Sequence, residues 1–273
     1  MPREPLMGLK IIVCIKQVPK AQELRIDPKT NTLKRSGVES VINPPDRNAL
    51  EMALQLVERH GGKTVVVSMG PPFFDASLHE AIGMGIDEGF LLTDRALGGS
   101  DTVPTAYALS KTVEKVGDYD LILCGEETTD SSTGHVGPGM AGHLRIPQIT
   151  YVSKVGLKDG WVEATRTLEY GLETRRGRTP ALLTVNFGCN TPREPTLLGK
   201  IRAKRGGIIK VWNAADVGAD YSKIGLRNSP TVVSKMETVV LPERKGIILQ
   251  NGQRDAVSKL LGMLADEGVL RVG

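Results

Sequence analysis

The chain has 273 residues, 40% apolar and 24% charged, with 31 glycines and 16 prolines; this is ordinary globular composition and excludes a fibrous or disordered chain. A chain of this length buries roughly three quarters of its unfolded surface, so it needs no disulfide or metal staple. The net charge of +4 is spread along the sequence and aromatics are only 4%, which argues against a nucleic-acid partner, and no apolar run reaches the roughly 18 residues of a membrane-spanning helix.

The three cysteines, Cys14, Cys124 and Cys189, are far apart and odd in number. They make neither a disulfide framework nor a Cys-pair zinc site, and they fit a reducing compartment. The N-terminus MPREPLMGLK carries no apolar signal core. A cytoplasmic protein is expected, with residues 1–9 a loose arm and Met7 an alternative start.

Along the first 150 residues, short apolar runs alternate with helical patterns. The runs Ile11–Ile15, Thr64–Met69, Gly89–Thr93 and Leu121–Gly125 suit strands buried on both faces, as in a parallel sheet. Between the first two, residues 20–42 interrupt the crossover, and LRIDPKTNTLKR has the turn chemistry of a small projecting hairpin. Leu50, Ala53, Leu54 and Val57 then line one helix face, with Asp46 as the predicted N-cap. Leu78, Ala81 and Ile82 mark a second helix. GMGIDEG (83–89) reads as its C-terminus, with Gly83 or Gly85 past the end. Ala106, Leu109, Val113 and Val116 mark a third. Strand–helix alternation at this spacing predicts a doubly wound α/β sheet.

After about residue 148 the pattern becomes that of antiparallel strands, with turns expected at Lys158–Gly160 and Arg176–Arg178, extending the sheet. From Gly188 onward Pro, Gly and basic residues dominate. A last amphipathic helix at about 253–267 carries Val257, Leu260, Leu261 and Leu264 on one stripe. A weakly periodic tail ending in such a helix points to packing against a partner chain; the alternative is a helix capping its own domain. The organisation predicted is therefore an arm over 1–9, an α/β domain over 10–212 and a C-terminal arm and helix over 213–273.

No Walker A loop, GxGxxG, HExxH or CxxC is present. The segment with most chemistry is GEETTDSSTGHVGPGMAGHL (125–144), which follows a strand and opens a helix. Ser131, Ser132, Thr133 and Gly134 offer hydroxyls and free backbone N–H groups to a phosphate at a helix N-terminus. The alternative is a plain capping segment with Asp130 or Ser131 as N-cap. Ligands of open α/β sheets sit beyond the carboxyl ends of the strands, where CIKQVP (14–19), INPPD (42–46) and SMGPP (68–72) also fall. Downstream, Lys200, Arg202, Lys204, Arg205 and Lys210 form a basic stretch without an acid. It is open to reading as a nucleic-acid patch, a phosphate clamp, a surface for acidic partners or a solvated face.

Eight ordered segments resemble the electron-transfer flavoprotein β-subunit family, from about residue 9 to 270: IIVCIKQVP (11–19), INPPDRNALEMALQL (42–56), VVSMGPP (66–72), LHEAIGMGIDEGFLL (78–92), DLILCGEETTDSSTGHVGPGMAGHL (120–144), IPQITYV (146–152), YGLETRR (170–176) and NTPREPTLLGKIRAKR (190–205). The resemblance implies a Rossmann-like, adenine-nucleotide-binding fold and a non-catalytic carrier subunit in a heterodimer with an α subunit that holds a redox-active FAD. Electrons pass from flavin-dependent dehydrogenases to a quinone reductase or another acceptor, and the C-terminal segment embraces the α subunit. A buried AMP is expected in this chain. The alternative is an electron-bifurcating member with a second FAD in the same pocket, oxidising NADH. A nucleotide hydrolase or adenylyl transferase on the same fold has only Lys16 and Asp46 as candidate groups.

By matching position, the pocket takes Cys14, Asn43, Pro44, Pro45, Asp46, Met69, Gly70, Gly125, Asp130, Ser131, Ser132, Thr133, Gly134, His135 and Val136. Where the bifurcating branch reads DGDTAQVGP, this chain reads DSSTGHVGP, with Ser132, Gly134 and His135 as departures. Cys189, Asn190, Thr191, Pro192 and Arg193 match the family's partner-recognition loop, with Cys189 standing where a leucine is usual. Glu173 matches an acidic residue near the subunit junction. No metal site is expected.

Overall fold

The computed structural model describes residues 8–20, 26–27, 32–33, 40–232, 246–249 and 254–270. Two compact units are distinguished, Met1–Met236 and Glu237–Gly273. In chain order the elements are β1 Leu9–Ile15, β2 Gln17–Pro19, β3 Ile26–Asp27, β4 Thr32–Leu33, β5 Ser40–Ile42, α1 Pro44–His60, β6 Gly62–Met69, α2 Asp75–Met84, β7 Glu88–Leu92, α3 Thr102–Val116, β8 Leu121–Gly125, α4 Val136–Leu144, β9 Gln148–Lys158, β10 Trp161–Leu168, β11 Gly171–Arg178, β12 Ala181–Val185, α5 Leu197–Ala203, β13 Ile209–Trp212 and α6 Arg254–Asp266.

Nine strands form one sheet in the order β11-β10-β9-β12-β8-β1-β6-β7-β13. Only β10 runs against the rest; every other pairing from β9 to β13 is parallel. The side-chain period of two splits β1 between two cores. Ile11, Val13 and Ile15 join Leu50 and Ala53 of α1 and Leu78 and Ile82 of α2. Ile12 and Cys14 join Leu109 and Val113 of α3 and Met140 of α4 on the opposite face. The apolar runs are continuous because both faces of the sheet are covered, as expected of a doubly wound α/β protein.

The chain winds from β1 outward through β6 and β7, then returns to place β8 on the other side of β1. The direction of winding therefore reverses between β1 and β8, and the crevice at their carboxyl ends is the switch point of the sheet. α1 follows β1 after the β2–β5 ribbon, in which Gln17 pairs with Ile42 and Pro19 with Ser40. α4 follows β8.

Several local readings are corrected. The N-cap of α1 is Asn43, with prolines in the first turn and Asp46 inside it; proline suits that position because its missing N–H would have no helical partner. Asp130 and Ser131 do not cap α4, whose N-cap is His135. Arg176–Arg178 is strand, not turn; the hairpin turns instead at residues 169–170, between the paired Leu168 and Gly171. β12 is not part of an antiparallel extension but lies between β8 and β9, parallel to both. α5 and β13 were not apparent in the basic stretch after residue 190. Gly85 ends α2 at φ 130°, a backbone that side chains other than glycine's rarely adopt.

The expected hairpin is seen in its pairs Ile26–Leu33 and Asp27–Thr32; the rest of it lies outside the described residues. So do residues 1–7 of the predicted arm, while Leu9 already belongs to β1. Ala214, Val217, Ala219 and Ile224 pack with Leu92, Leu97 and Ala108, so core side chains continue past Trp212, the limit read from the sequence. In the second unit, α6 exposes Val257, Leu260 and Leu261.

Candidate functional site

The site is built around one carboxylate. Asp46 stands in the first turn of α1 and is 4% exposed. Its Oδ2 accepts the Lys16 backbone N–H just past β1, at 2.7 Å. Its Oδ1 accepts the Gly125 backbone N–H at the end of β8, at 2.9 Å. A single side chain thus fastens the two strand ends that flank the switch point. Burial drives the Asp46 carboxyl up to about 7, and the hydrogen bonds from Lys16, Asn43 and Gly125 resist that rise. Gly125 is required by contact: a Cβ there would fall 2.4 Å from Asp46 Oδ1 and 2.7 Å from Pro45 Cβ.

Asn43, fully buried, performs the same service one step further out. Its backbone N–H donates to the Lys16 carbonyl at 2.9 Å. Its Nδ2 donates to the Glu127 carbonyl at 2.9 Å, and its Oδ1 accepts the Thr129 N–H at 3.1 Å. The Asn43–Asp46 turn therefore shapes the start of the loop that leads to α4. Within that loop, Ser132 N–H donates to the Thr128 carbonyl at 2.7 Å. Thr128 Oγ1 and Ser131 Oγ share a hydrogen bond at 2.8 Å. Ser132 and Gly134 take positive φ, 46° and 63°. Lys16 Nζ lies 2.7 Å from Asp130. Burial pushes the Asp130 carboxyl up, but Lys16 beside it outweighs burial and holds it below its ordinary range.

The loop ends at His135, whose side chain does not cap α4. The first-turn N–H groups of a helix have no partner inside it, and among the described residues no side chain takes those of Val136 and Gly137. Among the described residues, Thr133 has no hydrogen-bond partner. Ser131, Ser132, Thr133 and His135 are exposed, and Gly134 and Val136 are half-buried. Exposed hydroxyls beside an uncapped helix N-terminus, at the carboxyl edge of a parallel sheet, suit a phosphate-bearing ligand by charge and donor geometry. Met69 ends β6, the strand on the other side of β1, and Gly70 follows it. The predicted cofactor residues thus gather at the ends of three neighbouring strands.

Cys14 and Cys124 are in register on β1 and β8, buried, and on the same face. Burial, helped by the Asp46 charge, pushes the Cys14 thiol up to about 12. Cys124 is raised as well, by burial first and then by Cys14 and Asp46. Both are neutral small apolar groups at ordinary pH.

The predicted docking residues lie elsewhere, against the middle of α1. Gly188 N–H donates to Asn48 Oδ1 at 3.2 Å. Asn48 Nδ2 donates to the Asn190 carbonyl at 2.8 Å, and Asn190 Nδ2 returns a bond to the Asn48 carbonyl at 3.0 Å. Arg193 grips Glu51 through Nε at 2.8 Å and Nη2 at 3.0 Å, and reaches Glu58 as well. Burial favours the neutral Glu51 carboxyl, yet the Arg193 bonds prevail and hold it below its ordinary value. Cys189 is half-buried against the core, and burial raises its thiol to about 11. Arg193 is therefore turned onto its own subunit, and Phe187, 61% exposed, is the prominent apolar side chain of the segment. Lys16, Glu126, Asn48 and Glu51 support these two regions and were not singled out for those roles. Their contacts join residues 30 to 142 positions apart, for which no local pattern exists.

A mostly parallel sheet, wound on both faces and opening at its switch point into a loop and an uncapped helix, is the Rossmann-like class of α/β protein. A sequence model of the electron transfer flavoprotein domain matches residues 30–217. The electron transfer flavoprotein subunit beta of Thermoanaerobacterium thermosaccharolyticum is 44% identical over 96% of this chain and 100% of its own length. The protein FixA of Sinorhizobium fredii is 40% identical over 97% of this chain and 93% of its own. The corresponding subunit beta of Clostridium acetobutylicum is 40% identical over 95% and 99%. The chain belongs to the electron transfer flavoprotein family and is of its β-subunit type. No helix among the described residues is long and apolar enough to cross a membrane.

Proposed function

We propose that this chain is the β subunit of a heterodimeric electron transfer flavoprotein, with AMP held at the β1–β8 switch point. In this reading the α subunit holds the redox-active FAD. The dimer carries electrons from flavin-dependent dehydrogenases to a quinone reductase or another acceptor. The observation that carries the pocket is the clasp of Asp46 on Lys16 and Gly125, which sets the loop over 125–135 against an α4 N-terminus that no side chain caps. There Ser131, Ser132, Thr133 and the first N–H groups of α4 hold the phosphate, and the turn Asn43–Asp46 with Met69 and Gly70 lines the nucleoside side. The exposed stripe of α6 packs on the α subunit, and the 187–193 segment, with Phe187 outermost and Arg193 clamped inward on α1, faces the electron donor.

Glu126, Glu127 and Asp130 are acids, and Lys16 is already paired with Asp130. A phosphate there is held through backbone N–H groups and hydroxyls rather than by the Lys16 cation. The test is co-expression with an α subunit, purification of the complex, and quantification of nucleotides released on denaturation. One AMP and one FAD per dimer supports the reading. Two FAD and no AMP favours the bifurcating alternative, and neither nucleotide overturns the pocket.

A further inference from the structure

We infer that Glu126, together with Asn48 and Glu51 of α1, locks the 186–193 segment to the nucleotide loop, so that a phosphate-bearing ligand in the pocket orders the partner-facing segment. The inference rests on the pocket reading above and adds a coupling to it.

The contacts form a closed ring of three elements. The loop is joined to the first turn of α1 by Asn43, through the Glu127 carbonyl and the Thr129 N–H, and by Asp46, through the Gly125 N–H. Further along the same helix, α1 is joined to the 186–193 segment by Asn48 and Glu51. Among the described residues, Glu126 is what joins the segment back to the loop. Its backbone N–H donates to the Val185 carbonyl at 2.9 Å. Its Oε1 accepts the Phe187 N–H at 2.9 Å, and its Oε2 accepts Asn186 Nδ2 at 2.7 Å. Both carboxylate oxygens are committed to the segment, and both bonds are charge-assisted, roughly twice as strong as neutral ones.

The first residues of the segment are otherwise held by the Asn186 N–H on the Val152 carbonyl at 2.9 Å and the Gly188 N–H on Asn48 at 3.2 Å, and Glu126 is what ties them to the loop. Phe187 is exposed, and the residues that follow lie on the surface of α1 rather than under it. The loop at the other end of Glu126 is held mainly by Asn43, Asp46 and short turns, and its residues 131–133 are exposed. A ligand that bonds the loop N–H groups removes freedom from the loop, and a neighbour fastened to that loop then loses less freedom of its own on ordering. Rigidifying a surface before a partner arrives raises its affinity without adding a contact. Glu126 is thus a positioning residue. It touches neither the ligand nor the partner, and its effect passes through Asn186 and Phe187.

The experiment is hydrogen exchange on the α–β complex, stripped of nucleotide and then supplied with AMP, in wild type, Glu126→Ala and Glu126→Gln. In wild type, AMP slows exchange at 128–136 and also at 187–193. In Glu126→Ala, AMP still protects 128–136, but the amide of Phe187 exchanges roughly tenfold faster, the factor carried by loss of one charge-assisted hydrogen bond, and 187–193 no longer responds to AMP. Glu126→Gln keeps one acceptor and retains part of the response. A wild type in which AMP protects 128–136 and leaves 187–193 unchanged overturns the coupling and leaves the pocket intact. So does a Glu126→Ala variant whose 187–193 responds like wild type. Absence of protection at 128–136 in wild type overturns the pocket reading itself, and the coupling with it.

Discussion

Replacing Asp46 by alanine tests the clasp at the switch point. The carboxylate accepts two backbone N–H groups, from Lys16 at 2.7 Å and from Gly125 at 2.9 Å, and is 4% exposed. Alanine leaves both donors without an acceptor in a buried place. Each such orphan costs about 1–3 kcal/mol, so the variant loses about 2–6 kcal/mol. At about 2–4 °C per kcal/mol for a domain of this size, the midpoint falls by roughly 4–24 °C. Asp46→Asn keeps one acceptor oxygen but turns an NH2 toward the other donor, and its loss is roughly half as large. Scanning calorimetry of the purified complex, with and without added AMP, measures both. The alanine variant is also expected to lose most of its AMP-dependent rise in midpoint, because the loop over 125–135 is no longer held to β1. A midpoint for Asp46→Ala within 1 or 2 °C of wild type, in the same ~2–4 °C per kcal/mol terms, refutes the reasoning, since the two donors must then have found other partners.

Gly125→Ala drives a methyl against Asp46 Oδ1 and Pro45 Cβ. It is expected to cost about 1–3 kcal/mol and to lower the AMP recovered per dimer, read by chromatography after denaturation. Arg193→Ala removes the cation from the Glu51 carboxylate, 6% exposed as a side chain, and leaves it Gln55 Nε2 and the residue-193 N–H as donors, at about 3 kcal/mol. Glu51's folded carboxyl lies below its ordinary value of 4.5. The contribution of the pair is therefore fully present above about pH 4.5 and is lost as pH falls below it. Urea unfolding of wild type and Arg193→Ala at a series of pH values is expected to show a gap that closes on acidification, and a constant gap contradicts the ion pair's role. Replacing Leu260 and Leu261 together by glutamate places charge on the exposed apolar face of α6. It is expected to weaken association with the α subunit by at least tenfold in analytical ultracentrifugation, in line with about 1.5–3 kcal/mol for each large apolar side chain kept from burial.

The central half of the fold was legible because its physics is local. β1, β6, β7 and β8 announce themselves as apolar runs, since both faces of each strand are covered. α1, α2 and α3 do so as stripes with a helical period. Beyond β9 the signal fades. Burial along β11 is slight, with Leu172 73% exposed, so it carries no apolar alternation that separates strand from turn. The Glu169–Tyr170 turn lacks the Asn-Gly chemistry that marks tight hairpins. β12 reads as a strand but not as a parallel one, because direction is set by which neighbours it enters between. α5 and β13 are 7 and 4 residues long, too short to show a period.

At the site, residue types pointed to the loop and to the Asn43–Asp46 turn, but not to what these residues do. Asp46 looks like a helix cap from its place before an apolar stripe, and it is instead the acceptor for N–H groups from two separate strand ends. Arg193 looks like a surface group for a partner, and it is clamped on Glu51 and Glu58 of its own subunit. Glu126 has no local sign at all. In each case the partner is remote in sequence, and only the winding of the sheet brings the two together.

The central claim is that a phosphate-bearing adenine nucleotide sits at the carboxyl ends of β1 and β8. Cross-linking of the α–β complex with 8-azido-AMP, followed by peptide mapping, locates the nucleotide most directly. The account predicts label in peptides covering 11–19, 42–47, 66–72 or 125–136 of this chain, competed away by AMP. AMP-competed label confined to other peptides, or to the α subunit, contradicts it.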